Sequence, residues 1–123
     1  MAFTIQDVRP IWQQLATQLR QRMAAGEYPA GSRFPSVREL AAEAGVNPNT
    51  MQRAVSQLEA ERLVVTNRTA GRTVTEDEAV LEGMRVQLAR ERTREYFSEM
   101  KILGYDSAGA VAFAERERSD RNE

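Results

Sequence analysis

The chain has 123 residues, enough for one small domain or one domain with an appendage. It holds no cysteine and no histidine, which excludes disulfides, thiolate metal sites and histidine-based catalysis. The net charge is −1, but residues 1–75 carry nine Arg and six acidic residues, whereas residues 76–123 carry eight basic and twelve acidic residues. A mildly basic first part therefore precedes an acidic second part.

Several classes of protein are disfavoured by what the sequence lacks. No apolar run approaches the ~18 residues of a membrane span, and the N-terminal residues lack the pattern of a signal peptide. There is no glycine-rich phosphate loop and no carboxylate pair whose placement indicates an active site. We therefore expect a cytoplasmic protein that is not an enzyme, with no membrane association, no cofactor and no metal.

Residues Ile11–Ala25 are predicted to form the first helix. Pro10 suits a helix start, and Gly26 suits a helix end. Apolar residues recur every four positions, and Trp12 widens the stripe, so we interpret it as a core residue. The stripe comprises Ile11, Leu15, Leu19 and Met23.

The stretch from Val37 to Ala54 has the spacing of a helix-turn-helix. Its first helix is predicted over Ser36–Ala44, with Ser36 and Glu39 as a capping box. Gly45 stands where the chain must reverse sharply. A small residue, a turn glycine and flanking apolar positions are what two helices crossing at roughly 90–120° require.

The next helix is predicted over Pro48–Arg62, with Asn47 as its N-cap. Its outward face holds no acidic residue in the first two turns, which suits a helix that enters a DNA major groove by its N-terminus. Amide side chains read adenine and arginine reads guanine, so this face predicts base contacts. The outward residues are Asn49, Gln52, Arg53 and Ser56.

A short hairpin is predicted after this helix, with strands at 63–65 and 72–74. The tip of this wing carries Arg68 and Arg72 beside Gly71. Such a tip can lie along a minor groove or on the phosphate backbone.

Residues 76–123 are predicted to form a two-helix tail that frays from Arg116 onward. The first tail helix, Glu76–Leu103, bears two neighbouring apolar stripes, more than one small winged domain could cover. We expect one stripe to pack within the chain and the other against a second copy. The predicted dimerisation residues are Leu81, Met84, Leu88, Phe97, Met100 and Leu103.

The run from Pro10 to Val74 resembles the DNA-binding domain of GntR-family transcription regulators. The matching stretches are PIWQQLATQLR, GEYPAGSRFPSVRELAAEAGVNPNT and MQRAVSQLEAERLV, followed by the glycine hairpin. The reading-helix start and the short tail look like the YtrA subfamily, in which the tail dimerises the protein and no large effector domain follows. The resemblance implies a winged helix-turn-helix domain over 1–75, a helical dimerisation tail over 76–123, and a mainly α fold with one small β-hairpin.

The resemblance also assigns DNA contacts by position. Many relatives have arginine where Pro48 and Gln52 stand, so fewer guanine contacts are expected here. The first glycine of the usual wing pair is replaced by Thr69, which weakens the case for insertion into the minor groove. Together with the residue patterns above, the expected DNA-contacting residues are Arg33, Ser36, Arg38, Asn47, Asn49, Thr50, Gln52, Arg53, Arg68, Gly71 and Arg72.

The sequence thus predicts a homodimeric, sequence-specific regulator of transcription that acts as a repressor on palindromic double-stranded DNA. A small-molecule effector bound between the tails is compatible with this hypothesis. The alternative is a winged-helix module that binds proteins rather than DNA, which the near-neutral net charge permits. Salt-dependent binding to duplex DNA distinguishes the two.

Overall fold

The computed structural model describes residues 2–6, 8–69 and 71–121, in which the chain forms five helices and a two-stranded hairpin. The mainly α, winged helix-turn-helix fold is as predicted. Contacts divide the chain into two compact units, Met1–Arg85 and Val86–Glu123. The elements are α1 (Ile11–Ala24), α2 (Val37–Ala44), α3 (Pro48–Ala60), β1 (Val64–Asn67), β2 (Gly71–Val74), α4 (Glu78–Ile102) and α5 (Ser107–Asp120).

The core of the first unit lies where α3 packs on α1 and α2. Each helix contributes the apolar face that its period predicts, and the shared core excludes water from those side chains. Ile11 and Trp12 differ from the prediction, since Ile11 is exposed and Trp12 is only half-buried in the first turn of α1. The fully buried residues include Leu15, Leu19, Phe34, Leu40, Met51, Val55 and Leu58.

The helix-turn-helix is fixed by local hydrogen bonds that the sequence predicts. The Ser36 hydroxyl oxygen accepts the Glu39 N–H at 3.1 Å, and the Asn47 side-chain oxygen accepts the Asn49 N–H at 2.7 Å. Gly45 has φ +68°, a left-handed conformation that ends α2 and that glycine adopts without strain. The turn therefore holds α3 at a set angle to α2.

A third extended segment, not predicted from the sequence, lies beside the hairpin. Val64 pairs with Val74 in the antiparallel β1–β2 ladder. Beyond that ladder, the Phe34 N–H donates to the Arg72 carbonyl at 2.8 Å, and the Val74 N–H donates to the Ser32 carbonyl at 2.9 Å. The segment is only a few residues long and has no apolar alternation, so its pairing depends on contacts distant in sequence.

A buried arginine connects α1 with α2. Arg22 is 3% exposed, and its Nη1 donates to the Tyr28 hydroxyl at 2.8 Å and to Glu43 Oε1 at 3.1 Å. The Phe3 ring covers the guanidinium, with Cζ 4.0 Å from the ring centroid. The hydrogen bond from Arg22 holds the pKa of the Glu43 carboxyl below its ordinary value, although partial desolvation opposes this shift.

The second unit is a helical hairpin of the later part of α4 and α5. The Tyr96 hydroxyl donates to the Ala110 carbonyl at 2.6 Å, and Ala110 is fully buried. Asp106 caps α5 by accepting the Gly109 N–H at 2.8 Å. In the described residues α5 continues through Arg116, where fraying was expected to begin, to Asp120.

The Arg22–Glu43 pair predicts an acid-sensitive contribution to stability. Because the folded state lowers the pKa of Glu43 from 4.5, the contribution is complete above that pH and is lost as the pH falls through the folded-state value. Glu43→Gln should lower the free energy of unfolding at pH 7 by less than about 1 kcal/mol, since the carboxylate is half-exposed. The difference from wild type should shrink below pH 4.5. Urea unfolding followed by the emission of Trp12, the single tryptophan, measures both. Glu95→Gln is the control, and a difference constant with pH would contradict the assignment.

Arg62 predicts a stabilising substitution. It has φ +65°, a left-handed conformation that ends α3 and that costs a residue with a Cβ roughly 1 kcal/mol. Arg62→Gly should therefore raise the free energy of unfolding by about 0.5–1 kcal/mol. The same change at the exposed helical Arg90 should lower it by about 1 kcal/mol. If the free energy of unfolding in urea falls equally in both variants, the left-handed conformation of Arg62 is not strained.

Candidate nucleic-acid interface

The first turn of α3 presents the predicted reading residues at the surface. Asn47 and Asn49 are exposed, while Thr50 and Gln52 are half-buried. The Asn47 carboxamide oxygen accepts the capping bond, while its amide nitrogen donates no hydrogen bond in the described part of the chain. The Gln52 amide nitrogen donates to the Ser56 hydroxyl at 3.0 Å along the outward face. There is no acidic residue in this turn, so the positive end of the helix dipole is uncompensated.

Arg53 occupies a position that the sequence analysis did not predict. Its guanidinium stacks on the indole of Trp12, with Cζ 4.4 Å from the ring centroid. Trp12 is therefore not a simple core residue, because one face of its ring supports a cation from α3. Arg53 itself remains exposed.

Arg38 is exposed at the start of α2, where the helix-turn-helix geometry would bring it to DNA phosphates. The alternative interpretation was an ion pair with Glu39 or Glu43. Glu43 binds Arg22 instead, and in the described part of the chain Arg38 forms no side-chain hydrogen bond or ion pair. Its charge is thus available for an external anion.

A groove of about 760 Å³ runs between the wing and the start of α2. It brings together four residues that were predicted from separate parts of the sequence, and two of them are arginines. Hydroxyl groups of the wing also line it, so the groove offers cationic and neutral donors to an anion. The predicted residues in its wall are Arg33, Ser36, Gly71 and Arg72.

The two arginines of the wing lie in different parts of the hairpin. Arg68 is in the exposed turn, as expected, and the predicted tip residue Ala70 lies outside the described residues. Arg72 lies within β2, opposite Thr66, in the strand that is predicted over 72–74. Gly71, the first residue of β2, has φ +74°, which explains why a glycine stands there.

Glu59 of α3 contacts the wing, and the sequence analysis did not predict this contact. Its carboxylate accepts the Arg72 Nε–H at 3.1 Å and the Thr66 hydroxyl at 2.6 Å. The end of α3 thereby holds both strands of the wing, and it partly neutralises Arg72. No sequence signal could have found this contact, because it joins a helix to residues 7 and 13 positions further on.

The predicted dimerisation residues fall into two groups. Met84 and Met100 are each less than one-tenth exposed within a single chain. Leu81, Leu88 and Phe97 are half-buried, whereas Leu103 is 71% exposed. Only the second group leaves apolar surface that another molecule could cover.

Two features are absent from the described residues. No helix there is both long and apolar enough to cross a membrane. No group of three or more metal-ligating side chains is placed to hold an ion.

Comparisons with known proteins agree with this architecture. Residues 12–74 match the profile of the family described as "Bacterial regulatory proteins, gntR family". The chain is 36% identical over 99 residues to the uncharacterized HTH-type transcriptional regulator YhcF of Bacillus subtilis, covering 80% of this chain and 82% of YhcF. It is 29% identical to the HTH-type transcriptional repressor YtrA of the same organism, covering 79% and 75%.

A solved structure is also similar. A GntR family transcriptional regulator from Listeria monocytogenes superposes with a TM-score of 0.80 at 34% identity, covering 91% of this chain and 98% of that one. The matched proteins are regulators of transcription rather than enzymes. This chain belongs to the GntR family of DNA-binding transcriptional regulators and is YtrA-like within it.

Proposed function

We propose that this regulator binds a palindromic operator as a homodimer and represses the promoter that contains it. The main support for this proposal comes from the outward face of α3. Asn49 and Gln52 are accessible on that face, and no acidic side chain lies in the first turn of the helix. Such a face fits a major groove, and twofold symmetry places two of them about one helical turn of DNA apart.

The expected DNA contacts of the first unit divide into two kinds. Asn49, Thr50 and Gln52 are placed to read base edges, because they belong to the first turns of the helix that enters the groove. Arg33, Arg38 and Arg68 are exposed and bind no carboxylate in the described ranges, so they suit phosphates that set the register. Ser36 and Asn47, at the starts of α2 and α3, add to both kinds of contact. Arg72 and Gly71 line the groove between the wing and the start of α2.

Exposed apolar side chains support pairing through the second unit. Ile102 is 84% exposed and Leu103 is 71% exposed, and Val111 on α5 is half-exposed. Neighbouring apolar residues exposed at this level are typical of surfaces that another chain covers. A second copy of the chain is the occupant expected for a twofold operator.

Repression follows from position on the promoter. A dimer bound across a promoter blocks transcription without any further surface, and the relative YtrA is named a repressor.

Base reading by Gln52 can be tested with duplexes selected from a random pool. Gln52→Ala should weaken binding to the selected duplex by roughly 1–3 kcal/mol and relax preference at the contacted position. Gln87→Ala, an exposed helical glutamine in α4, is the matched control and should bind as wild type does. Binding should weaken steeply with salt. If the pool yields no duplex, DNA recognition by this surface is refuted; equal loss on all sequences would reduce Gln52 to a backbone contact.

The dimer interface can be tested at Ile102 and Leu103. Replacing both by Glu should give monomers in sedimentation, because two charges would be buried in an apolar contact. The fold of each chain should persist, since both side chains are exposed. Val8→Glu, at an equally exposed apolar residue of the first unit, should remain dimeric. A double variant that stays dimeric would place the interface elsewhere.

A further inference from the structure

The contact between Arg53 and Trp12 joins α3 to the first turn of α1. One face of the guanidinium lies on the indole, at 4.4 Å from Cζ to the ring centroid. In the described residues no carboxylate or hydrogen-bond acceptor holds the Arg53 side chain. A cation whose face is covered while its N–H donors are unpaired is ready for an additional anionic partner.

The position of Trp12 decides where that partner would lie. Arg53 follows Asn49 by four residues and precedes Ser56 by three, so it starts from the outward face of α3. The indole belongs to α1, which packs alongside α3. Stacking on the indole therefore keeps the guanidinium at the lateral edge of α3. When a helix fills a major groove, its middle faces base edges and its edges face the phosphates.

Stacking also prepares the arginine for binding. A free arginine side chain loses rotamer entropy when it is immobilised. A guanidinium that already rests on an aromatic ring has lost part of that freedom before it meets DNA. The planar cation can keep the ring on one face while its N–H edge donates to a phosphate.

We propose that Trp12 is a positioning residue that holds Arg53 as a phosphate contact at the edge of the reading helix. This proposal rests on the proposed DNA-binding function. It replaces the sequence-based expectation that Arg53 selects bases, and it gives Trp12 a role in binding although Trp12 need not touch DNA.

The test compares four variants on two probes, the duplex selected from the random pool and a 30-base-pair duplex of random sequence. Arg53→Ala should weaken both by the same factor and reduce the slope of log affinity against log salt by about one. Trp12→Leu should weaken both by about two- to fivefold, the strength of an exposed cation–π contact. Trp12→Phe, which retains an aromatic face, should lie close to wild type. The double variant Trp12→Leu, Arg53→Ala should bind no more weakly than Arg53→Ala alone.

A purely structural role for Trp12 gives different results. The two losses would then add in the double variant, which overturns the proposal. Wild-type affinity for Trp12→Leu, or loss confined to the selected duplex for Arg53→Ala, overturns it as well while leaving the DNA-binding function intact. If the wild-type protein binds neither probe, the proposed function fails and this inference fails with it.

Acrylamide quenching gives a readout that does not require Trp12 to be replaced. Trp12 is the single tryptophan, so its emission reports this contact alone. In the free protein, Arg53→Ala should increase quenching, because the guanidinium no longer covers the ring. Addition of the random duplex should protect Trp12 in wild type and less in Arg53→Ala. Equal protection in the two proteins would contradict the proposal even if Trp12→Leu did not fold.

Discussion

Burial of one face of α3 against α1 and α2 is the constraint on which the rest of the first unit depends. Met51, Ala54, Val55 and Leu58 are fully buried on that face. Because these four residues are buried in the core, helix geometry places Asn49, Gln52 and Ser56 on the outward face. The presentation of a reading surface is therefore a consequence of packing. The caps at Ser36 and Asn47 and the reversal at Gly45 add precision to the angle at which that surface is held.

Ion pairing sorts the arginines of the first unit into two groups. Arg20 binds Glu61, Arg22 binds Glu43 and Arg72 binds Glu59, so three glutamates hold together helices or the wing. Burial raises the pKa of Glu61, but hydrogen bonds from Arg20 and Gln57 outweigh it and the pKa falls. Arg33, Arg38, Arg53 and Arg68 bind no carboxylate in the ranges the structure describes. The arginines of the second group are therefore available to an external anion, because the three glutamates are engaged by other arginines.

The two units differ in what their apolar residues do. In the first unit the large apolar side chains are mostly buried within one chain. In the second unit Ile102 and Leu103 remain exposed, although Met100 and Ala110 close a small core between α4 and α5. A helical hairpin of this size cannot cover all of its own apolar surface. The unit is therefore suited to association with another chain.

The sequence by itself determined the elements whose causes are local. The helix-turn-helix, its caps, the turn glycine, the hairpin and the outward face of α3 all follow from patterns within about four residues, where period and capping chemistry act. Tertiary structure alone decided the contacts between residues far apart in the chain. It paired the segment around Ser32 with β2, buried Arg22 beside Glu43, fixed the wing to Glu59, and stacked Arg53 on Trp12. Within an amphipathic pattern a charged residue can be recognised only as polar. Its partner cannot be predicted, because the packing of the helices specifies that partner and the neighbouring sequence does not.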